Sequence, residues 1–273
     1  MSLRKPTKFA LACALLAAIV VVPVAALAVG GRRDEAVIRV DGLVLRANGG
    51  VRPTVLPPRR YAPISLHGYA NVKGRRGGPP PPLESLVLDF TRNSRIHTRG
   101  LPVCPPERLR GKTARGARRA CPGALVATGN VEALVDLPDT PVFPVRTPVA
   151  AFTGPPQDGR PTLVFHSRVS LSVESSAIPS TQTYVLQEPL LPSPRGGLRL
   201  DIDIPEIAGG YASFSHGNLK IGKRVYRFRG GRRSFISARC PTGVLFVWGR
   251  LGFADGTVIS GTLYTPCTAR RRR

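Results

Sequence analysis

Asp201 and Asp203, separated by one residue and followed by Glu206, are the residues of this chain best spaced for chemistry. On a strand, positions i and i+2 project from the same face. The run LDIDIPE therefore presents two acids together, as a calcium site or a general acid/base pair requires. The same alternation also marks the solvated side of a half-buried strand. In so basic a chain, arginines from the flanking segments are the expected partners of these acids. The histidines His67, His97, His166 and His216 follow no metal-ligand spacing. His216 closes the run Ser213-Phe214-Ser215-His216-Gly217, yet no G-x-S-x-G elbow is present and neighbours on a strand face opposite ways. Gly111-Lys112-Thr113 matches the last positions of a phosphate loop, but Pro106 stands where that loop needs glycine and no strand leads into it. Trp248 lies in an apolar strand and is expected in the core, with sugar stacking as the alternative. No residue set implies a catalytic group, a metal or a cofactor.

Cys104, Cys121, Cys240 and Cys267 also carry chemistry in their spacing, and what precedes them sets its context. Arg4, Lys5 and Lys8 lead into an apolar run from Phe9 to Val29 that holds Ala26-Leu27-Ala28 near its end. A basic start, an apolar stretch and small residues at −3 and −1 mark a secretory signal over residues 1–28, with cleavage after Ala28. An uncleaved anchor is the alternative, because the run is long enough to span a bilayer. Cys13 lies inside it, with no lipobox ending there. Either way the remainder is expected outside the cell or in its envelope, where disulfides form and persist. Four cysteines allow three connectivities. Local pairing, Cys104 with Cys121 and Cys240 with Cys267, is expected because each pair brackets one structural excursion. Closing each loop stabilises the fold by about 3 kcal/mol in the chain-entropy picture. Intervals of 16 and 26 residues without C-x-x-C argue against a zinc site.

The elements that must position these residues follow from composition. With 29 glycines and 28 prolines a mostly helical chain is excluded, and 42% apolar residues exclude a disordered one. Short strands joined by Gly/Pro turns satisfy both conditions. Strands are expected over 36–47 (with a turn or bulge at Asp41-Gly42), 64–72 and 86–90, then 124–137, 143–152 and 162–173. Further strands fall at 183–187, 198–204, 213–221 and 225–229, the last two joined by a tight turn at Gly222-Lys223. The clearest hairpin spans 244–265 about Ala254-Asp255-Gly256. A helix of one or two turns and a basic loop are expected between Cys104 and Cys121. The whole reads as an all-β, two-sheet β-sandwich, Ig-like or jelly-roll-like, over residues 29–268, with a basic tail at 269–273.

Charge is the one hint of a partner. Lys+Arg number 40 against 16 Asp+Glu, a formal net charge of +24, and only six of the 40 are lysine. Residues 52–119 hold 15 basic and 3 acidic residues and 211–273 hold 13 and 1, whereas 120–210 hold 5 and 9. Two basic flanks thus enclose a mildly acidic middle. Such a field speeds encounter with polyanions, and arginine forks suit phosphate and carboxylate. Arg108, Arg110, Lys112, Arg115, Arg118, Arg119, Arg232 and Arg233 are the candidate anion-binding residues. Aromatics are 6% of the chain and do not interleave with the basic runs, so specific nucleic-acid recognition is not expected.

Six segments, RYAPISLHGYANVKG (60–74), LESLVLDFTRNSRIHTRGLPVC (83–104), ACPGALVATGN (120–130), IPEIAGGYASFSHGNLKIG (204–222), RSFISARCPTG (233–243) and GFADGTVISGTLYTPC (252–267), resemble a paralogous group of secreted β-rich proteins of high-GC actinobacteria. The resemblance covers most of the exported part. It implies a secreted β-rich domain with these same cysteines and carries no activity or site to transfer. The reading at this level is a secreted or envelope-associated, non-enzymatic β-domain contacting anionic cell-wall polymers or the membrane surface through its basic face. A secreted glycan-acting enzyme on a β-sandwich scaffold is the alternative.

Overall fold

Nineteen strands account for most of the chain in a computed structural model that describes residues 35–74, 76, 78–171, 181–228 and 231–270, and side chains outside 227–233. The expected signal segment lies outside the described residues. In chain order the strands are β1 (Glu35–Val40), β2 (Leu43–Arg52), β3 (Val55–Leu56), β4 (Ala62–Pro63), β5 (Ser65–Lys73), β6 (Leu83–Phe90) and β7 (Ser94–Ile96). Next come β8 (Leu125–Val135), β9 (Phe143–Gln157), β10 (Arg160–Ser170), β11 (Thr181–Pro192), β12 (Leu198–Asp203) and β13 (Ala212–Ile221). The last are β14 (Val225–Phe228), β15 (Gly231–Ser234), β16 (Ile236–Ala238), β17 (Val244–Phe253), β18 (Val258–Pro266) and β19 (Thr268–Ala269).

Twelve of them form one antiparallel sheet in the order β1-β2-β5-β13-β8-β9-β10-β11-β12-β6-β17-β18. The sheet curls until β18 lies beside β1 and β2. There Ile38 packs on the bare backbone of Gly261, and Leu263 approaches Gly49. The expectation of an all-β fold with two local disulfides stands. The two-sheet sandwich is corrected to a single, nearly closed barrel. Curling the sheet brings its two end strands, β1 and β18, alongside each other.

Period-2 alternation decides what faces inward. Leu43, Leu45, Ala47 and Gly49 of β2 point into the barrel, as do Leu163, Phe165 and Val169 of β10. Outward positions carry charge: Arg39, Arg46, Lys73, Arg146, Lys220 and Arg250 are all exposed on the wall. One barrel end is plugged by a small sheet, β4-β16-β7, where Ile236 and Ala238 of β16 and the adjoining Ile64 and Phe235 are at most 1% exposed. The Cys240–Cys267 disulfide lies in the same packed cluster and clamps the open end of the β17–β18 hairpin. The other end carries the β1–β2 and β17–β18 turns and the β12–β13 connection.

The second disulfide, Cys104–Cys121, closes an excursion outside the barrel. It holds a 3-10 turn (Pro106–Arg108) and α1 (Ala114–Ala120), capped by Thr113 Oγ1, which accepts from Gly116 N at 3.1 Å. Leu109, Ala117 and both cysteines pack on Ala150, Phe152 and Val164. That explains why β9 and β10 are apolar on both faces here: Ala151 and Leu163 look inward while their neighbours meet α1. One turn expectation fails. Gly222-Lys223 does not pair its flanking strands, because β14 turns back on β15 while β13 runs between β5 and β8.

Candidate functional site: an apolar barrel lumen

The barrel is not filled. A cavity of about 700 Å³ runs through its interior, within the range of small-molecule sites. It stays open because one wall is built from small residues: Ala47 and Gly49 of β2, Gly68 and Ala70 of β5, Gly217 of β13 and Gly261 of β18. A Cβ placed on Gly68 would meet nothing within 4 Å. The opposite wall, β10–β12 and β6, supplies larger side chains, among them Phe165, Leu186, Leu200 and Leu88.

Polar groups inside the lumen are few and neutral. Thr147 Oγ1 donates to Arg168 O at 2.6 Å and lies 3.3 Å from Ser167 Oγ, and Ser167 faces Tyr184 across the β10–β11 ladder. The Tyr184 hydroxyl donates to Gln182 Oε1 at 2.7 Å, and burial pushes its pKa up, so it stays a neutral phenol. Three hydroxyls thus sit on adjoining strands of a mostly apolar chamber. An apolar inside with a charged outside is the reverse of a transmembrane channel barrel.

Asp201 and Asp203 occupy one face of β12, as expected, with buried Ile202 between them. They do not form a metal site with Glu206: among the described residues no group of three His, Cys, Asp or Glu is arranged to hold one. Asp201 accepts from Arg199 at 3.0 Å, an arginine of its own strand rather than of a basic flank, and Glu206 sits at the open rim of the lumen. The acid that does join the pair is Glu188 of β11. Burial, then repulsion from Asp203 and Asp201, push its pKa up to about 7. Only cross-strand neighbours reveal that, so local spacing could not.

His216 stacks edge-on against Tyr69 with ring centroids 4.7 Å apart, while Ser215, at a β-bulge, donates to Glu132 O at 3.1 Å. A serine and a histidine do meet elsewhere, Ser237 Oγ and His97 Nε2 at 3.2 Å. Ser237 is 4% exposed inside the plug, beyond reach of a substrate. His166 is buried under the excursion, its Nε2 3.0 Å from Lys112 O, and Arg168 reaches Gly111 O at 2.8 Å. Trp248 is not in the core. It faces outward opposite Asp89, with Arg195 4.7 Å above its ring.

Arg108, Arg110, Lys112, Arg115, Arg118 and Arg119 are all exposed on the excursion. Arg115, Arg118 and Arg119 border a surface depression with Pro122, and Arg224 from the second basic flank donates to Pro122 O at 3.1 Å. One arginine of the second flank thus reaches the base of the excursion. Arg232 and Arg233 lie on β15, with side chains outside the described part. No protein-family model matches this chain, and neither a curated protein nor a solved structure does. The two disulfides fit a compartment outside the reducing cytoplasm.

Proposed function

We propose that this protein is a non-catalytic binding barrel that holds an apolar molecule in its lumen, with its basic exterior keeping it near anionic envelope polymers or membrane. The observation that carries the reading is the 700 Å³ apolar chamber kept open by a wall of glycine and alanine. A chain with no use for the space gains by filling it, since each buried methylene contributes about 0.8 kcal/mol. Open apolar volume on this scale is the form a site for an apolar guest takes. The resemblance to secreted actinobacterial β-rich proteins and the expected signal segment support export as the setting. The basic excursion, where Arg224 joins Arg115, Arg118 and Arg119, supports contact with polyanions.

Titration with the fluorescent apolar probe N-phenylnaphthylamine tests the reading. A saturable, one-per-chain fluorescence rise is expected, and no rise, or a rise that never saturates, overturns it. Charge reversal of Arg115, Arg118 and Arg119 tests the exterior separately. Retention on anionic wall polymer at moderate salt should fall while probe uptake is unchanged.

A further inference from the structure

The guest's polar end is constrained by which charges the lumen lacks. The chain has 40 basic residues, yet among the described residues not one arginine or lysine lines the chamber. Every basic position on the barrel wall noted above points outward. Among the described residues, the charged ones that border the lumen at the open rim are acids, Glu84 and Glu206, both exposed. They are held close by the strand end: Ile204 N donates to Glu84 O at 2.7 Å, and Glu206 follows two residues on. The β4-β16-β7 plug lies across the opposite end, so among the described residues a polar head meets either the rim or neutral hydroxyls such as those of Thr147, Ser167 and Tyr184.

From this we infer that the lumen selects uncharged apolar molecules, such as a long-chain alcohol or a neutral lipid, and rejects amphiphiles with an anionic head. The inference rests on the binding-barrel reading and sharpens it. A carboxylate or phosphate drawn into the chamber would lose its water with no cation to replace it. At the rim it would meet Glu84 and Glu206, a like-charge contact. A hydroxyl head loses far less, because Thr147, Ser167 and Tyr184 both donate and accept. The basic exterior and the neutral interior thus sort differently: polyanions are kept outside, and a neutral guest is taken inside.

Displacement of N-phenylnaphthylamine from the full-length protein at pH 8 by dodecanol, dodecanoate and dodecyl phosphate, each below its self-association concentration, decides the matter. Dodecanol is expected to displace the probe at a concentration at least about tenfold lower than either anion, a difference of about 1.4 kcal/mol. A smaller margin, or an anion that displaces as well as the alcohol, overturns the selectivity. Failure of the probe itself to bind would instead refute the lumen as a site. The double variant Glu84→Lys, Glu206→Lys alters only exposed side chains and supplies a second arm. It should bring dodecanoate several-fold closer to dodecanol and leave dodecanol unmoved. No gain by dodecanoate counts against the inference.

Discussion

Substituting Gly68 by phenylalanine should make the protein more stable and weaken its uptake of an apolar guest. Gly68 lies mid-strand in β5, between Gly49 of β2 and Leu219 of β13, and its α-carbon faces the lumen with no atom within 4 Å of where a Cβ would stand. A phenyl ring there enters empty apolar space. Burying a side chain of that size contributes about 1.5–3 kcal/mol. Removing a glycine from a strand adds about 0.5–1 kcal/mol, and ordering the new side chain takes back a similar amount. A net gain of about 2 kcal/mol follows. For a domain of this size it raises Tm by about 4–8 °C. Gly261→Val is the matched control. That glycine faces the same lumen, but a Cβ on it collides with Ile38 across the barrel seam, so the variant should lose about 1–3 kcal/mol by overpacking. Differential scanning calorimetry with parallel N-phenylnaphthylamine titration reads both effects. If Gly68→Phe melts lower than the parent, or binds the probe as the parent does, the lumen is not the open guest chamber described above.

Three further perturbations follow from the same geometry. Glu188 titrates near 7 in the fold against an ordinary value of 4.5, so its contribution to stability is present below about pH 4.5 and lost as pH rises through 7; Glu188→Gln should unfold at higher denaturant than the parent at pH 8.5 and match it at pH 4. Burial under the excursion lowers the pKa of His166 below 6.5, so protons favour the unfolded chain and stability falls as pH drops below 6.5; His166→Gln should flatten that part of the stability–pH profile, and an unchanged slope would assign it to other groups. Replacing both Cys240 and Cys267 by serine opens a loop of sequence separation 27 and should cost about 3.5 kcal/mol in the chain-entropy picture, read by urea unfolding.

Much of the fold is legible in the residues, and its closure is not. Asp41-Gly42 and Ala254-Asp255-Gly256 mark hairpins that the structure contains, with positive φ at Asp41, Gly42 and Gly256. Asp158-Gly159 carries the same mark, with φ of 49° and 73°, and closes the long β9–β10 hairpin, which sequence reasoning leaves as a loop over 153–161. A sandwich and a barrel share one alternation pattern, so periodicity cannot separate them. What separates them is long-range: Gly261 of β18 lying against Ile38 of β1. The inward-facing glycines and alanines were visible in LHGYANVKG, but their meaning depends on which wall they face. Trp248 shows the opposite case. Leu245 and Val247 are inward neighbours, and strict alternation already places the tryptophan outside. Local cysteine pairing was readable because each disulfide closes a single excursion, whereas Glu188 and its raised pKa emerge only from neighbouring strands.

The most direct test of the binding-barrel account is native mass spectrometry of the full-length protein mixed with dodecanol. One bound molecule per chain in the parent, and a smaller bound fraction in Gly68→Phe at the same dodecanol concentration, is the predicted result. No bound dodecanol in the parent, or the same unsaturating ladder of adducts in both proteins, would contradict it.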